Sequence, residues 1–258
     1  NRIGITKMKK LILPNMLKHK QCEDLIRVGS DNDGGYLISV SDLKKTEALL
    51  SFGLDVDWNF EKMFSDNSDI PIYAYDASTN FTLFIKKSLS EFFHLNFLKS
   101  INLILKYFKF KNFFKGRKKF IQTFVGPGNN KNYVSFDEII SKKNYKNYFI
   151  KMDIEGGEYR ILDNFIKHQD KICGTVIEFH DIDLHLEKIE RFISNFNLNI
   201  VHVHINNWTI IGKKDLPLTI EVTFSKNAKI NNNIAHYPNE LDQPNAPHLE
   251  DFVVSFNG

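Results

Sequence analysis

Short apolar runs bounded by turn residues alternate along this chain with stretches in which apolar residues recur at helical spacing. That rhythm predicts βαβ units and a mainly parallel sheet. The runs are ALLSFG (Ala48–Gly53), IPIYAYD (Ile70–Asp76), KFIQTFVG (Lys119–Gly126), YFIKMD (Tyr148–Asp153) and ICGTVIEFH (Ile172–His180). DWNFEKMF (Asp57–Phe64) reads as a helix with Asp57 as its N-cap. Ile189, Phe192, Ile193 and Phe196 mark another helix after the fifth run. LNIVHVHINNW (Leu198–Trp208) and LPLTIEVTFS (Leu216–Ser225) leave no room for a helix between them, so they are expected to pair antiparallel.

Three segments fall outside this rhythm. LIRVGSDNDGGYLI (Leu25–Ile38) reads as strand, Asp/Asn/Gly turn and strand. In the segment Ser88–Lys119, Phe93, Phe97, Ile101, Ile104 and Phe108 repeat at helical spacing. The other face carries Lys99, Lys106 and Lys109, with Glu91 the lone acid. This is a basic amphipathic helical insertion, read as a lid over the site, a membrane-facing element or an oligomer contact, with the lid favoured. From Lys226 the chain is rich in Asn and Pro and is expected to wrap the surface irregularly. The whole reads as one α/β domain over 1–258: a cover element at 1–46, a core at 47–225 with the insertion at 80–118, and a tail at 226–258.

Composition narrows the function classes. A hydrophobic share of 42% supports a sizeable core, and a net charge of +3 is too mild to call for nucleic acid, so no such partner is expected. Cys22 and Cys173 form no CxxC or Cys/His cluster, which argues against structural zinc and for free thiols in a reducing cytosol. No apolar run is long enough to span a bilayer, and NRIGITKMKKLILP lacks a signal-peptide pattern. The expected location is cytoplasmic. The basic insertion leaves contact with the inner face of an anionic membrane, or with a lipid-linked saccharide, open. Heavy use of Phe, Asn, Lys and Ile is that of an AT-rich bacterial coding bias.

The candidate chemistry lies at the carboxyl ends of the apolar runs, where open α/β sheets bind ligands. Gly53 ends the first, Asp76 the second, Asp153 the fourth and His180-Asp181 the fifth. Gly53 followed by an acid about 20 residues on is the arrangement that receives a nucleoside. GLDVDWNFE lacks the glycines of a pyrophosphate loop, which favours a cofactor without phosphates. The cationic groups of S-adenosylmethionine suit Asp55 and Asp57, although both equally cap a helix. Gly53, Leu54, Asp55, Asp57, Asp76, Ala77, Val125, Gly126 and Asp153 are the cofactor candidates, with Phe124, Val125 and Gly126 expected near the adenine. Asp153, Glu155 and His180 are the catalytic candidates, and Glu158 is read as an anion in the first turn of a helix. Arg27, Asp33 and Tyr36 from the glycine turn, with His204 and Asn206 from HVHINNW, are candidates for substrate contact; a plain turn is the competing reading for the first three.

KMDIEGGEYRIL resembles the DIEG-x-E signature of FkbM-type S-adenosylmethionine-dependent methyltransferases. YVSFDEII (Tyr133–Ile140) and VIEFHD (Val176–Asp181) resemble the pieces that flank it, and the motif order covers Ala48 to Ser225. The first motif departs from that family: FGLDVDW stands where it has a Gly-Ala-Asn-x-Gly type loop. The resemblance implies a Rossmann-like class I methyltransferase fold, with a seven-stranded, mostly parallel sheet whose last strand is antiparallel. It also implies O-methylation of a sugar or other hydroxyl-bearing metabolite, such as a precursor of capsule or lipooligosaccharide. By analogy with catechol-type enzymes, Asp153 and Asp181 would hold magnesium or manganese, although Asp181 equally caps a helix. A nucleotide-sugar-dependent enzyme and a non-catalytic binding protein of the same fold are the alternatives.

Overall fold

The computed structural model describes residues 9–128 and 132–257. Among them, seven strands build a central sheet: β1 (Ala48–Phe52), β2 (Ile72–Tyr75), β3 (Lys118–Ile121), β4 (Tyr148–Met152), β5 (Ile172–Phe179), β6 (Asn199–Ile205) and β7 (Ile220–Ser225). Their order is β6-β7-β5-β4-β1-β2-β3. The strands from β5 across to β3 run parallel, and β7 lies antiparallel between β5 and β6. This is the Rossmann-like class I methyltransferase fold that the resemblance implies, built on the parallel sheet that the alternation predicts. Chain direction across the sheet reverses between β1 and β4, so a crevice opens at their carboxyl ends.

The helices are α1 (Val40–Lys45), α2 (Asn59–Asn67), α3 (Phe81–Phe93), α4 (Phe97–Phe113), α5 (Phe136–Lys142), α6 (Leu162–Lys167) and α7 (Ile182–Asn195). Every residue of β1 and β4 is buried, because both faces of the sheet are covered. Leu50 and Ile150 meet Phe136, Phe165 and Phe192 from α5, α6 and α7 on one face. Their neighbours Leu49 and Phe149 meet Leu43 of α1 and Phe60 and Phe64 of α2 on the other. No helix among the described residues is long and apolar enough to cross a membrane.

Four local expectations change. The N-cap of α2 is Trp58; Asp57 stands one residue earlier and accepts from the Asn59 N–H at 3.0 Å. The third apolar run is broken: β3 stops at Ile121, and Phe124–Gly126 pairs instead with Tyr133–Ser135. The insertion is two helices, α3 and α4, joined by a tight connection. The tail is not wholly irregular, since Ile230–Ile234 pairs with Lys20–Cys22 and Val253–Asn257 with Lys10–Pro14. The polar run INNNI hid the first of these strands, and both partners lie more than 200 residues away. The expected glycine turn is present, between strands Leu25–Gly29 and Gly35–Ser39. Residues 1–8 of the expected cover element lie outside the described residues.

Two contacts set the crevice. Gly53 has φ 79°, and a Cβ added there would lie 1.7 Å from the Asp153 carbonyl oxygen. The expectation was that Gly53 admits a ligand; what approaches it is the backbone just past β4. Asp76, just past β2, ties two loops together. Its Oδ2 accepts from the N–H groups of Leu54 (2.9 Å) and Asp55 (3.1 Å) and from Thr79 Oγ1 (2.9 Å). Its Oδ1 accepts from Ser78 N (2.7 Å), Ser78 Oγ (2.6 Å) and Thr79 N (3.2 Å). Burial pushes this carboxyl up, but the hydrogen bonds outweigh it and hold the carboxyl below its ordinary range.

Gly53→Ala is expected to destabilise the fold by about 2–4 kcal/mol, through the carbonyl clash and the left-handed backbone, read as a lower denaturation midpoint in urea. Asp76→Ala is expected to cost about 3 kcal/mol by orphaning buried N–H donors. Because the folded carboxyl titrates below the unfolded one, Asp76 stabilises fully above its ordinary 3.8 and loses that contribution as pH falls through the lowered value. Acid unfolding of the Asp76→Ala variant should lack this component.

Candidate active site

β4 ends at Met152, and the chain turns through Asp153–Glu158 into the short 3-10 turn Glu158–Arg160. Glu158 holds this turn from inside. It is fully buried, and its Oε1 accepts from the N–H groups of Ile154 (3.0 Å) and Gly156 (3.3 Å). Glu155 and Gly156 take left-handed φ values of 52° and 91°, which leaves the Glu155 side chain out in solvent. Glu158 was expected in the first turn of a helix, facing its dipole. The helix starts only at Leu162, and Glu158 is instead an internal staple of the turn.

The same carboxylate fixes His180, which follows β5. His180 Nδ1 lies 3.2 Å from Glu158 Oε1. Its Nε2 lies 3.4 Å from Glu155 Oε2, 3.7 Å from Glu178 Oε1 and 3.9 Å from Asp153 Oδ1. Burial opposes charge on this ring, but the Glu158 hydrogen bond and the fields of Glu178 and Asp153 outweigh it, and the pKa is pushed up to about 9. The imidazole is therefore protonated at neutral pH in the unliganded chain. Glu178 shows the opposite balance: burial, then the charges of Asp153 and Glu221, drive its carboxyl well above the usual range. Tyr36 spans the two acids, its hydroxyl 3.4 Å from Asp153 Oδ2 and 3.3 Å from Glu178 Oε2.

Two hollows meet at this cluster. The larger, about 640 Å³, runs along the carboxyl ends of β1, β2 and β4. Its apolar wall includes Leu54, Phe60, Tyr75, Phe124 and Val125. Its charged groups are the acids Asp33, Asp55, Asp57, Glu61, Asp76, Asp153 and Glu155, against Lys151 and Arg160. The smaller, about 390 Å³, shares Asp33, Asp153 and Glu155 and adds Glu178, His180, Asn206 and the exposed indole of Trp208.

Most of the expected site residues gather here. Gly53, Leu54, Asp55, Asp57, Asp76, Val125 and Asp153 line the larger hollow. Asp33 lines both, Asn206 donates to Glu178 Oε1 at 2.9 Å, and Tyr36 sits between Asp153 and Glu178. Asp76 lines the hollow with its lone pairs already engaged, so it has little left for a ribose. Asp57 bonds Ser30, and Asp55 pairs with Lys87 of α3.

Six expectations are corrected. Ala77 is outside the lining, and Gly126 is covered by the Tyr133 ring, whose Cδ1 would lie 2.6 Å from an added Cβ. Arg27 does not face a substrate: its guanidinium donates to the carbonyls of Ser30 (3.3 Å) and Asn32 (2.5 Å), closing its own turn. His204 is buried between Glu221 (3.5 Å) and Asp251 (3.1 Å), away from both hollows. Asp181 is exposed, in a left-handed conformation at the start of α7, and does not pair with Asp153 around a cation. Among the described residues, the groups that could surround one are Asp153, Glu155 and His180, whose ligating atoms lie within 4.8 Å of one another. Nor is the insertion a lid, because the lining of neither hollow includes a residue of α3 or α4. Its exposed apolar residues lie outside the cavity.

Sequence reasoning passed over Lys151, Glu178 and Trp208. Lys151 had a signal: a lysine inside an otherwise apolar core strand must find anions. Its Nζ donates to the Gly53 carbonyl at 2.6 Å and lies 3.6 Å from Asp153 Oδ2.

No protein-family profile matches the chain, and no curated protein does. Solved structures with a similar arrangement include the Methanococcus jannaschii fibrillarin pre-rRNA processing protein, 10% identical over 74% of this chain and 71% of that one, with a TM-score of 0.36. An rRNA methylase from Streptococcus thermophilus is 8% identical over 72% of this chain and 92% of its own, with a TM-score of 0.37. The N-terminal domain of human METTL16 in complex with SAH is 11% identical over 72% and 64%, with a TM-score of 0.34. Two of these are named for ribosomal RNA, and the expectation that nucleic acid is excluded as a partner is withdrawn accordingly. A net charge of +3 does not itself exclude one.

Proposed function

We propose that the chain is an S-adenosylmethionine-dependent O-methyltransferase whose acceptor is a hydroxyl of a saccharide or saccharide precursor. The observation that carries the cofactor half is the charge of the larger hollow, where carboxylates outnumber cations. Such a wall favours a sulfonium and an ammonium and repels a diphosphate, which speaks against the nucleotide-sugar alternative. Leu54, Phe124 and Val125 offer apolar surface for an adenine. Asp76 is engaged, and Asp55 and Asp57 already have partners in Lys87 and Ser30, so a ligand's hydroxyl or ammonium groups would share these carboxylates with them. The resemblance of DIEGGE to the FkbM-type signature supports the finer family reading.

The smaller hollow supports the acceptor half. Carboxylates and an amide suit the hydroxyl edges of a sugar, and the Trp208 indole suits its apolar face. Asp33, Asp153 and Glu155 belong to both hollows, so donor and acceptor would meet along that wall. When bound, S-adenosylmethionine supplies a methyl carbon on a cationic sulfur. The chain's share is to align the accepting oxygen and take its proton. His180 Nε2 faces the shared wall, and Glu158 on Nδ1 steadies the imidazolium that forms. A cation bound nearby would lower this imidazole's pKa, favouring the neutral ring that a base requires.

In calorimetry, S-adenosylhomocysteine should bind in the micromolar range and a nucleotide diphosphate sugar should give no heat; the reverse preference overturns the reading. With cofactor saturating, turnover should rise with pH to a plateau, with the midpoint below the resting value of about 9. His180→Gln should remove that limb and lower kcat by about 10²–10⁴-fold. An unchanged pH profile in the variant excludes His180 as the base. In the unliganded chain the raised pKa stabilises the fold fully below 6.5 and fades as pH passes about 9, a dependence that thermal unfolding of the variant should lack.

A further inference from the structure

Helices α3 and α4 form a hairpin that leans on the side of the sheet. They touch through Ser88 and Ser100, whose hydroxyl oxygens lie 2.9 Å apart. Phe84 and Phe110 turn inward with Leu54, Trp58 and Ala74. A second apolar stripe on each helix is left uncovered. At the tip, Phe93 and Leu98 are 79% and 80% exposed, and along α4 Ile101, Leu105 and Phe108 are each more than half exposed. At roughly 100° per residue, Phe97, Ile101, Leu105 and Phe108 share one side of α4, with exposed Lys109 and Lys111 flanking it. An apolar patch rimmed by polar groups marks an interaction surface.

The charge identifies what covers it. Between Phe81 and Lys119 lie ten of the chain's 34 Lys and Arg and one of its 31 acids, so the remainder of the chain is net negative. A second copy on this face would bring two cationic hairpins together. A nucleic acid would neutralise the lysines and leave the Phe and Leu side chains wet. An anionic phospholipid surface answers both features, with acyl chains for the stripe and phosphates for the flanking lysines. We infer that the α3–α4 hairpin docks in the interface of a bilayer containing anionic phospholipid, lying on it without crossing it. Lys87 of α3 pairs with Asp55 on the rim of the larger hollow, so docking holds that hollow beside the lipid headgroups. This inference does not depend on the methyl-transfer reading.

The test is co-sedimentation of the full chain with vesicles of phosphatidylcholine alone or mixed equally with phosphatidylglycerol. Most of the chain should pellet with the mixed vesicles and stay soluble with the neutral ones, and binding should fall at least fivefold between low and high salt. Leu98→Glu/Ile101→Glu and, separately, Lys109→Glu/Lys111→Glu should each abolish pelleting, with circular dichroism and thermal midpoint as controls for folding. These residues touch neither hollow. Failure of the native chain to pellet with mixed vesicles overturns the inference. So does a concentration-dependent dimer that Leu98→Glu/Ile101→Glu dissolves, or retention of an RNA oligonucleotide by a chain that ignores vesicles.

Discussion

The ammonium of Lys151, buried near the carboxyl end of the central strand, constrains everything around the crevice. Only 8% of its side chain is exposed. Burial disfavours its charge, yet Asp153, Glu61 and Glu178 outweigh that and raise its pKa. An unpaired ammonium at that depth would cost several kcal/mol, so the acids around it are a condition of the strand being in the core at all. The dependence is mutual. Burial raises the pKa of Glu61, the Lys151 charge draws it back, and Ser51 hydrogen-bonds its carboxylate. The acid-rich crevice is thus part of the sheet's charge balance before any ligand enters it.

From this centre the constraint spreads along two routes. Through Asp153 it reaches the turn that Glu158 staples, and through Glu158 it reaches His180. One buried carboxylate therefore fixes the backbone that aims Asp153 and the ring that faces it. The second route runs through the tail. Asn245 donates to Glu221 (2.7 Å) and to Asp33 (3.2 Å), and Asn32 donates to the Gln243 side chain (2.9 Å) and the Pro244 carbonyl (2.9 Å). The glycine turn is held over the crevice by residues more than 200 positions away in the chain. Asp242 anchors this tail against the sheet at His202, 2.9 Å away.

Legibility in the sequence followed the range of the forces. The sheet could be read because its inner parallel strands β1, β4 and β5 are buried on both faces, and such strands announce themselves as apolar runs between turn residues. The antiparallel end pair was readable because too few residues join β6 to β7 for a helix. At the site, the convergence of Gly53, Asp76, Asp153 and His180 followed from topology. Their roles did not, because roles depend on partners brought in from elsewhere. Asp76 looks free in sequence and is engaged by two loops. Arg27 looks like a substrate contact and closes its own turn. His204 looks like a partner of Asn206 two positions on, until Asp251 reaches it from the tail.

The insertion shows how electrostatics can decide where an element packs. Its spacing fitted a lid, and a lid of that composition would set nine cations over a hollow lined with carboxylates. Those carboxylates would then be neutralised from above, leaving no preference for a cationic ligand. The hairpin instead leans on the side of the sheet. Phe110 packs on the Trp58 ring at 5.4 Å between centroids, and Lys106 lies 5.5 Å above the same indole. Lys87 with Asp55 is its ion pair at the rim. At physiological salt, exposed charges are screened beyond about 8 Å, so separate faces can keep separate signs. The acid-lined crevice keeps its pull on a cation, and the basic hairpin keeps its pull on an anionic surface, because the chain does not fold one across the other.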